Sequence, residues 1–158
     1  MNPRALRLPG GAGAPVVYGL HRKGVGYFAN HSKMVFVPKV NYITGTRVYF
    51  TDEERIAQGL RPGPMSVITN LCVMQMVARG KWKVLSLHKG VTAEDVTSNT
   101  GFAVEVAADC PITKVPTKQE VELIQEIDPQ GIRLLDFMSG KERAKKLPAI
   151  LDAEWNSV

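Results

Sequence analysis

SVITNLCVMQMVARGKWKVLSLHKGVTAEDVTSNTGF, residues 66–102, is the stretch whose reading decides the fold. Its first part, Val67 to Val77, is apolar except at Thr69, Asn70 and Gln75. Such a run fits a strand covered on both faces of an α/β sheet better than a half-exposed one. Ala78-Arg79-Gly80-Lys81 then turns into Trp82–Leu87, where Trp82, Val84 and Ser86 alternate with Lys83, Leu85 and Leu87. The pattern predicts a hairpin with its first strand at the sheet centre. After it, His88-Lys89-Gly90-Val91 turns the chain into a short helix. Thr92 is the N-cap, Glu94 and Asp95 suit the positive helix start, and Gly101 supplies the stop.

Working outward toward the N-terminus, Arg61-Pro62-Gly63-Pro64 is a break that delivers the chain into this strand. Thr51 to Leu60 reads as a helix with Asp52, Glu53 and Glu54 in its first turn. Lys39–Thr44 and Gly26–Ala29 read as strands, as does Ala5–Leu8. His31, between Asn30 and Ser32, is a loop histidine that could contact a ligand but is more often incidental. Pro9-Gly10-Gly11-Ala12-Gly13-Ala14-Pro15 lets the backbone take unusual angles and lets a ligand come close to its amides. Pro15 fits the first position of a helix with Val16, Val17 and Leu20 as its apolar face. The segment is neither a dinucleotide fingerprint, whose third glycine would fall at Val16, nor a P-loop, since no Gly-Lys-Ser/Thr follows.

Toward the C-terminus, Val104–Val106 is a strand, followed by a loop containing Pro111 and Pro116. Thr117-Lys118-Gln119-Glu120 is a capping box for a helix with Val121, Ile124 and Ile127 on one face. Glu120, Glu122 and Glu126 read as its solvated side. Ser139-Gly140-Lys141-Glu142 caps one more helix, docked through Leu147, Ile150, Leu151 and Trp155. Pro148 argues against that helix being uninterrupted. The expected organisation is a domain over residues 1–138 and a helical tail over 139–158.

At 158 residues and 44% hydrophobic content, the chain can build one sizeable core. Cys72 and Cys110 lack metal-ligand spacing, and Cys72 reads as a small buried hydrophobe. The net charge of +5 is uneven: residues 1–64 hold nine Lys/Arg against three Asp/Glu, and residues 65–158 hold eleven against twelve. Such asymmetry suits nucleic acid, an acidic partner chain or a phosphate-bearing ligand. No nucleic-acid-reading motif accompanies it, which disfavours the first. No apolar run reaches the ~18 residues of a membrane span, and the N-terminus lacks a signal-peptide core. A cytoplasmic protein without membrane contact is expected.

The order of strand, hairpin, "SLHxGVT", acidic short helix and "NTGF" resembles the β subunit of family I CoA-transferases, in particular the glutaconate CoA-transferase β-subunit group with its hydrolase-like relatives. Phe36–Gly45 (FVPKVNYITG) and Thr117–Gly131 (TKQEVELIQEIDPQG) are similar to stretches of the same pattern. Two departures are visible: Lys89 stands where the family usually has proline, and Gly45-Thr46-Arg47 replaces its "SPG". The resemblance runs from about Ala5 to Phe137 and corresponds to the later part of a β subunit.

What the resemblance implies is an open, mostly parallel or mixed α/β sheet with flanking helices. It also implies an α-like partner or self-association, and a coenzyme A thioester as substrate with no bound cofactor. It turns Leu8–Ala14 into a match for the family's "LPGxGGA"-type loop beside the acyl thioester. Gly10, Gly11, Gly13 and Ala14 then become the substrate-binding residues. Backbone N–H groups there would stabilise the oxyanion of thioester attack. The family's transferases use a glutamate nucleophile upstream of that loop. Upstream of Gly10 these residues include no acid, and the first carboxylate is Asp52. No catalytic residue is therefore assigned, and the chain alone is expected to be inactive. A hydrolase-like relative using a partner carboxylate, and a non-catalytic scaffold, are the alternatives.

Overall fold

A computed structural model describes Gly13 and residues 24–41, 43, 51–63 and 65–156. By packing, the chain divides into residues 1–113 and residues 114–158. In the first unit β1 is Gly24–Phe28, α1 Asp52–Ala57, β2 Met65–Thr69, β3 Cys72–Ala78, β4 Lys81–Leu87, α2 Ala93–Asn99 and β5 Val104–Glu105. In the second, α3 is Lys118–Ile127, a 3-10 helix covers Ile132–Phe137 and α4 is Gly140–Trp155. The expected strand at Ala5–Leu8 and the helix after Pro15 lie outside the described residues.

The sheet is mixed and open, in the order β1-β2-β3-β4-β5. β1 runs parallel to β2 and β4 parallel to β5, while β3 is antiparallel to both of its neighbours. Four strands therefore point one way and β3 alone returns. The expected α/β sheet is present, with the first strand of the β3–β4 hairpin at its centre. The run Val67–Val77 is two strands, because the chain reverses at Asn70-Leu71. The Thr69 hydroxyl accepts from the N–H groups of Leu71 (3.0 Å) and Cys72 (3.1 Å), a side-chain turn that takes the place of ladder partners. β3 is the first strand of the expected hairpin with β4 and is central as expected, while residues 67–69 belong to the separate strand β2.

One face of the sheet is covered. Val67, Cys72, Met74, Val84 and Leu87 form the core with Phe36 and Val96, and Trp82, Phe102 and Val104 pack against it. The expectation of cover on both faces fails. Tyr27, Ile68 and Val73 are register partners on the other face, and Tyr27 is 52% exposed there. The expected alternation in β4 also breaks. Val73 pairs with Ser86 but Met74 with Val84, so Leu85 is an extra residue. That bulge shifts the side-chain parity, and both Val84 and Leu87 point inward.

Each of α1 to α4 starts with a reciprocal capping box: Thr51–Glu54, Thr92–Asp95, Thr117–Glu120 and Ser139–Glu142. The acids of three of these boxes, Asp95, Glu120 and Glu142, are held below their ordinary pKa by the same bonds. Lys39, Val40, Asn41 and Ile43 lie in no strand, contrary to expectation. Their side chains are all exposed, so no sheet face is there to order them. Pro148 sits inside a sixteen-residue α4 rather than ending it. Proline lacks only its own N–H, which frees the Ala144 carbonyl and leaves the other helix bonds in place. Of the four expected docking residues of α4, Ile150 is buried while Leu147, Leu151 and Trp155 are exposed.

Gly101 does not act as a left-handed helix stop, since its φ is not positive. Its N–H donates to the Phe36 carbonyl at 2.7 Å, and a Cβ would lie 2.5 Å from that oxygen and 2.9 Å from Pro38 Cδ. The residue is glycine because two backbones touch. Gly101→Ala is expected to destabilise the first unit by about 1–3 kcal/mol, the cost of overpacking. Urea unfolding followed by the fluorescence of Trp82 measures it. A midpoint equal to that of the native chain would show that residues 36–38 yield freely.

Candidate functional site

In an open α/β sheet, the carboxyl ends of the parallel strands are where loops converge and ligands bind. Here that edge gathers His31 after β1, Thr69 at the end of β2 and His88 after β4. Thr100 arrives from the end of α2. Thr113 arrives because Ile112 bridges Leu87 in parallel.

Thr69 is the hub. Its hydroxyl lies 3.0 Å from His31 Nδ1, and His31 Nε2 lies 2.9 Å from the Thr100 hydroxyl. Thr100 donates to the Val96 carbonyl at 2.7 Å. Thr100 therefore has no proton left for His31, which fixes the tautomer: Nε2 carries the hydrogen and Nδ1 accepts from Thr69. On the other side, His88 Nε2 sits 2.8 Å from the Thr69 carbonyl and must donate to it. His88 Nδ1 then accepts from Thr113 (2.9 Å), whose oxygen accepts from Ser86 (2.7 Å). These tautomers are assigned from the hydrogen-bond network. Two directed chains of neutral groups thus end on one threonine, one at its side chain and one at its main chain.

Burial disfavours the charged forms of His31 and Cys72. His31 is 3% exposed and stacks on Phe36 at 4.2 Å, and its burial lowers its pKa. Burial pushes the Cys72 thiol up, and its Sγ lies 4.0 Å from His31 Nδ1. A protonated buried thiol beside a neutral imidazole is not an activated nucleophile. What the cluster does is hold three strand ends in register. Among the described residues no group of His, Cys, Asp and Glu has the geometry of a metal site, and no helix is long and apolar enough to cross a membrane.

Of the residues assigned from sequence, Gly10, Gly11 and Ala14 lie outside the described residues. Gly13 is helical and exposed, and a Cβ there would meet nothing within 4 Å. The acids of α1 are occupied in the fold. Glu54 closes the Thr51 cap and lies 3.9 Å from Arg79, and Asp52 accepts from the Gly63 N–H at 3.0 Å. Hydrogen bonds from its own backbone and from Thr51 hold the exposed Glu53 carboxyl below its ordinary value. Glu120 caps α3 and Glu122 pairs with Lys118 at 3.4 Å, in keeping with a solvated face. Sequence reasoning set His31 aside and used His88 only as part of a turn. The signal that could have found them was the polar pair Thr69-Asn70 inside an apolar run.

No protein-family model matches the chain. It is 36% identical over 143 residues to the B-subunit of the 3-oxoadipate CoA-transferase of Pseudomonas knackmussii, covering 89% of this chain and 55% of that protein. To the cholesterol ring-cleaving hydrolase IpdB subunit of Rhodococcus jostii it is 34% identical over 109 residues, 68% of this chain and 43% of that one. The chain thus spans about half the length of the curated relatives it matches. Among solved structures it superposes on the decarboxylase AibA/AibB with a TM-score of 0.63 at 27% identity, over 82% of this chain and 48% of that one. Glutaconate CoA-transferase of Acidaminococcus fermentans matches with a TM-score of 0.59 at 22% identity, over 76% and 46%, which shows the fold.

Thr69→Val keeps the shape of the hub and removes its hydroxyl. The N–H groups of Leu71 and Cys72 and the acceptor of His31 then lose their partner inside the protein. A loss of at least about 1–3 kcal/mol of unfolding free energy is expected, with Thr69→Ser restoring most of it. Denaturant titration of both variants checks this. Equal stability of the valine variant would mean that the turn does not depend on the hydroxyl.

Proposed function

Because the chain carries the fold of CoA-transferase β subunits and is similar to one of them over 143 residues, we propose that it works as the β-like component of a CoA-transferase-type enzyme acting on acyl-CoA thioesters with an α-like partner. The observation that carries this reading is the 36% identity to a CoA-transferase B-subunit. The relatives' names pair two subunits, IpdB in IpdAB and AibA with AibB, and the partner is proposed by that analogy. Coenzyme A enters as substrate rather than as a resident cofactor, and the excess of nine basic over three acidic residues in 1–64 suits its phosphates. The cytoplasmic setting belongs to the same proposal.

Gly10, Gly11, Gly13 and Ala14 are proposed to bring backbone N–H groups to the thioester carbonyl, where negative charge develops during attack. Gly13→Val is a clean probe, since the added side chain has open space around it. In the chain assembled with its partner, a loss of roughly 2–4 kcal/mol of transition-state stabilisation is expected if one oxyanion donor is displaced. Unchanged kinetics in a well-folded complex would make the loop a structural turn.

A second reading has its own support: relatives with this fold are named a hydrolase and a decarboxylase as well as a transferase. In that reading a partner carboxylate opens the thioester and this chain contributes the binding loop. The non-catalytic scaffold remains the third. Incubating the isolated 158-residue chain with acyl-CoA and borohydride, then mapping reduced glutamate by mass spectrometry, separates them. No modified residue is expected, since Asp52 and Glu54 already serve the fold. A reduced Glu53 or Glu54 would show that the chain holds its own nucleophile. Exchange that appears only with the partner, without a label on this chain, favours the transferase assembly. Hydrolysis without exchange favours the second reading.

The open apolar face of the sheet, with Val25 and Tyr27 on its edge strand, suits an assembled protein better than a monomer. The α-like partner is the proposed occupant. Light scattering at micromolar concentration is expected to show an assembly. A clean monomer with cooperative unfolding would count against it.

A further inference from the structure

Residues 30–38 cross the carboxyl edge of the sheet, and of these only His31 and Phe36 are buried, while Met34 is 91% exposed. The His31 N–H donates to Asn70 Oδ1 at 2.7 Å and its ring bridges Thr69 and Thr100. Phe36 stacks on that ring, meets Phe28 edge-on at 5.5 Å and accepts the Gly101 N–H through its carbonyl. The two pins lean on each other, so the imidazole supports the strap beside the core contacts that Phe36 makes for itself.

We propose that residues 30–38 form a proton-operated latch over the carboxyl edge of the sheet, held shut by neutral His31 and released when that ring is protonated. The reason is the direction of the hydrogen bonds. A proton on Nδ1 converts the ring's one acceptor into a donor facing Thr69 Oγ1. That oxygen already accepts from Leu71 and Cys72. Nε2–H is already committed to Thr100, whose own proton is committed to Val96. Even with the Thr69 proton turned to the Cys72 carbonyl at 3.3 Å, the new hydrogen is a third donor on an oxygen with two lone pairs.

Among the described residues no opposite charge compensates. From β3 the ring faces Cys72, a neutral thiol. From the β4–α2 turn it faces His88, one carbonyl away and acting as a donor, with the exposed Lys89 behind it. The end of α2 contributes Thr100, because Asp95 is tied to Thr92 at the helix start. Asn70 and Thr69 at the end of β2 are uncharged, and Lys33 on the strap itself is exposed. The burial that lowers the pKa of His31 acts in the same direction. In the open latch the ring is solvated and returns to its ordinary value near 6.5. The open form therefore binds the proton more tightly than the closed one. The closed form is fully favoured above about pH 6.5 and loses ground as pH falls toward the lowered value. The inference does not depend on the proposed catalytic role.

Amide hydrogen exchange on the full chain between pH 7.5 and 5, corrected for intrinsic rates, tests it. Protection of the His31 and Gly101 amides is expected to fall about tenfold per pH unit below the ordinary histidine value. The amides of Met74 and Val84 in the β3–β4 ladder are expected to keep their protection. In His31→Gln, which cannot take up the proton, the pH dependence should vanish, and in His88→Gln it should persist. Titration of the His31 ring by NMR in the native chain supplies a readout that needs no variant, and its midpoint should lie below that of a free histidine. The latch is overturned if His31 and Gly101 stay protected in step with Met74 down to pH 5. It is equally overturned if all four amides are lost together, or if the dependence follows His88.

Discussion

Everything at the functional edge of this protein rests on the Thr69 hydroxyl. It ends β2, reverses the chain into β3 by accepting two backbone N–H groups, and lies within hydrogen-bond distance of His31 Nδ1 and the Cys72 carbonyl for its own proton. Its carbonyl receives His88 from the end of β4. One residue thereby ties together β1, β2 and β4, three of the four described strands whose carboxyl ends face the same way. Each bond is modest in isolation, but a buried donor or acceptor left without a partner is costly, so the group holds as a unit.

Around that hub the packing is one-sided. Five core residues of the sheet lie on one face under Phe36 and Val96, and on the opposite face Val25, Tyr27 and Ile68 keep apolar side chains in contact with water. Sheets containing parallel pairs are normally covered on both faces. The bulge at Leu85 and the backbone contact at Gly101 sharpen the covered face, the first by turning Leu87 inward and the second by letting residues 36–38 reach α2.

Relatives named transferase, hydrolase and decarboxylase share this architecture. A common fold leaves chemistry to the groups placed on it. In the described part of this chain the groups around Thr69 satisfy one another's hydrogen bonds, and Asp52 and Glu54 of α1 serve a turn and a cap. The structure thus offers a rigid platform, and the proposed reactive parts are a glycine loop and a partner.

Sequence alone determined the elements whose signals are local. The capping residues Thr51, Thr92, Thr117 and Ser139 announced four helices, and each forms its box, because a cap is a contact between residues three apart. The ordered motifs from Ser66 to Phe102 announced the fold, since their succession is a property of the chain itself. Tertiary structure decided what depends on distant neighbours. Whether Val67–Val77 was one strand or two turned on where the Thr69 hydroxyl found its donors. Which way Leu87 faced turned on a bulge defined only by pairing with β3. Gly101 read as a helix stop until Phe36 was placed against it. His31 could not be told from an incidental loop histidine, because its partners lie 38 and 69 residues along the chain. Hydrogen-bond partners so far apart leave no periodicity in the sequence, and only the folded chain brings them within 3 Å.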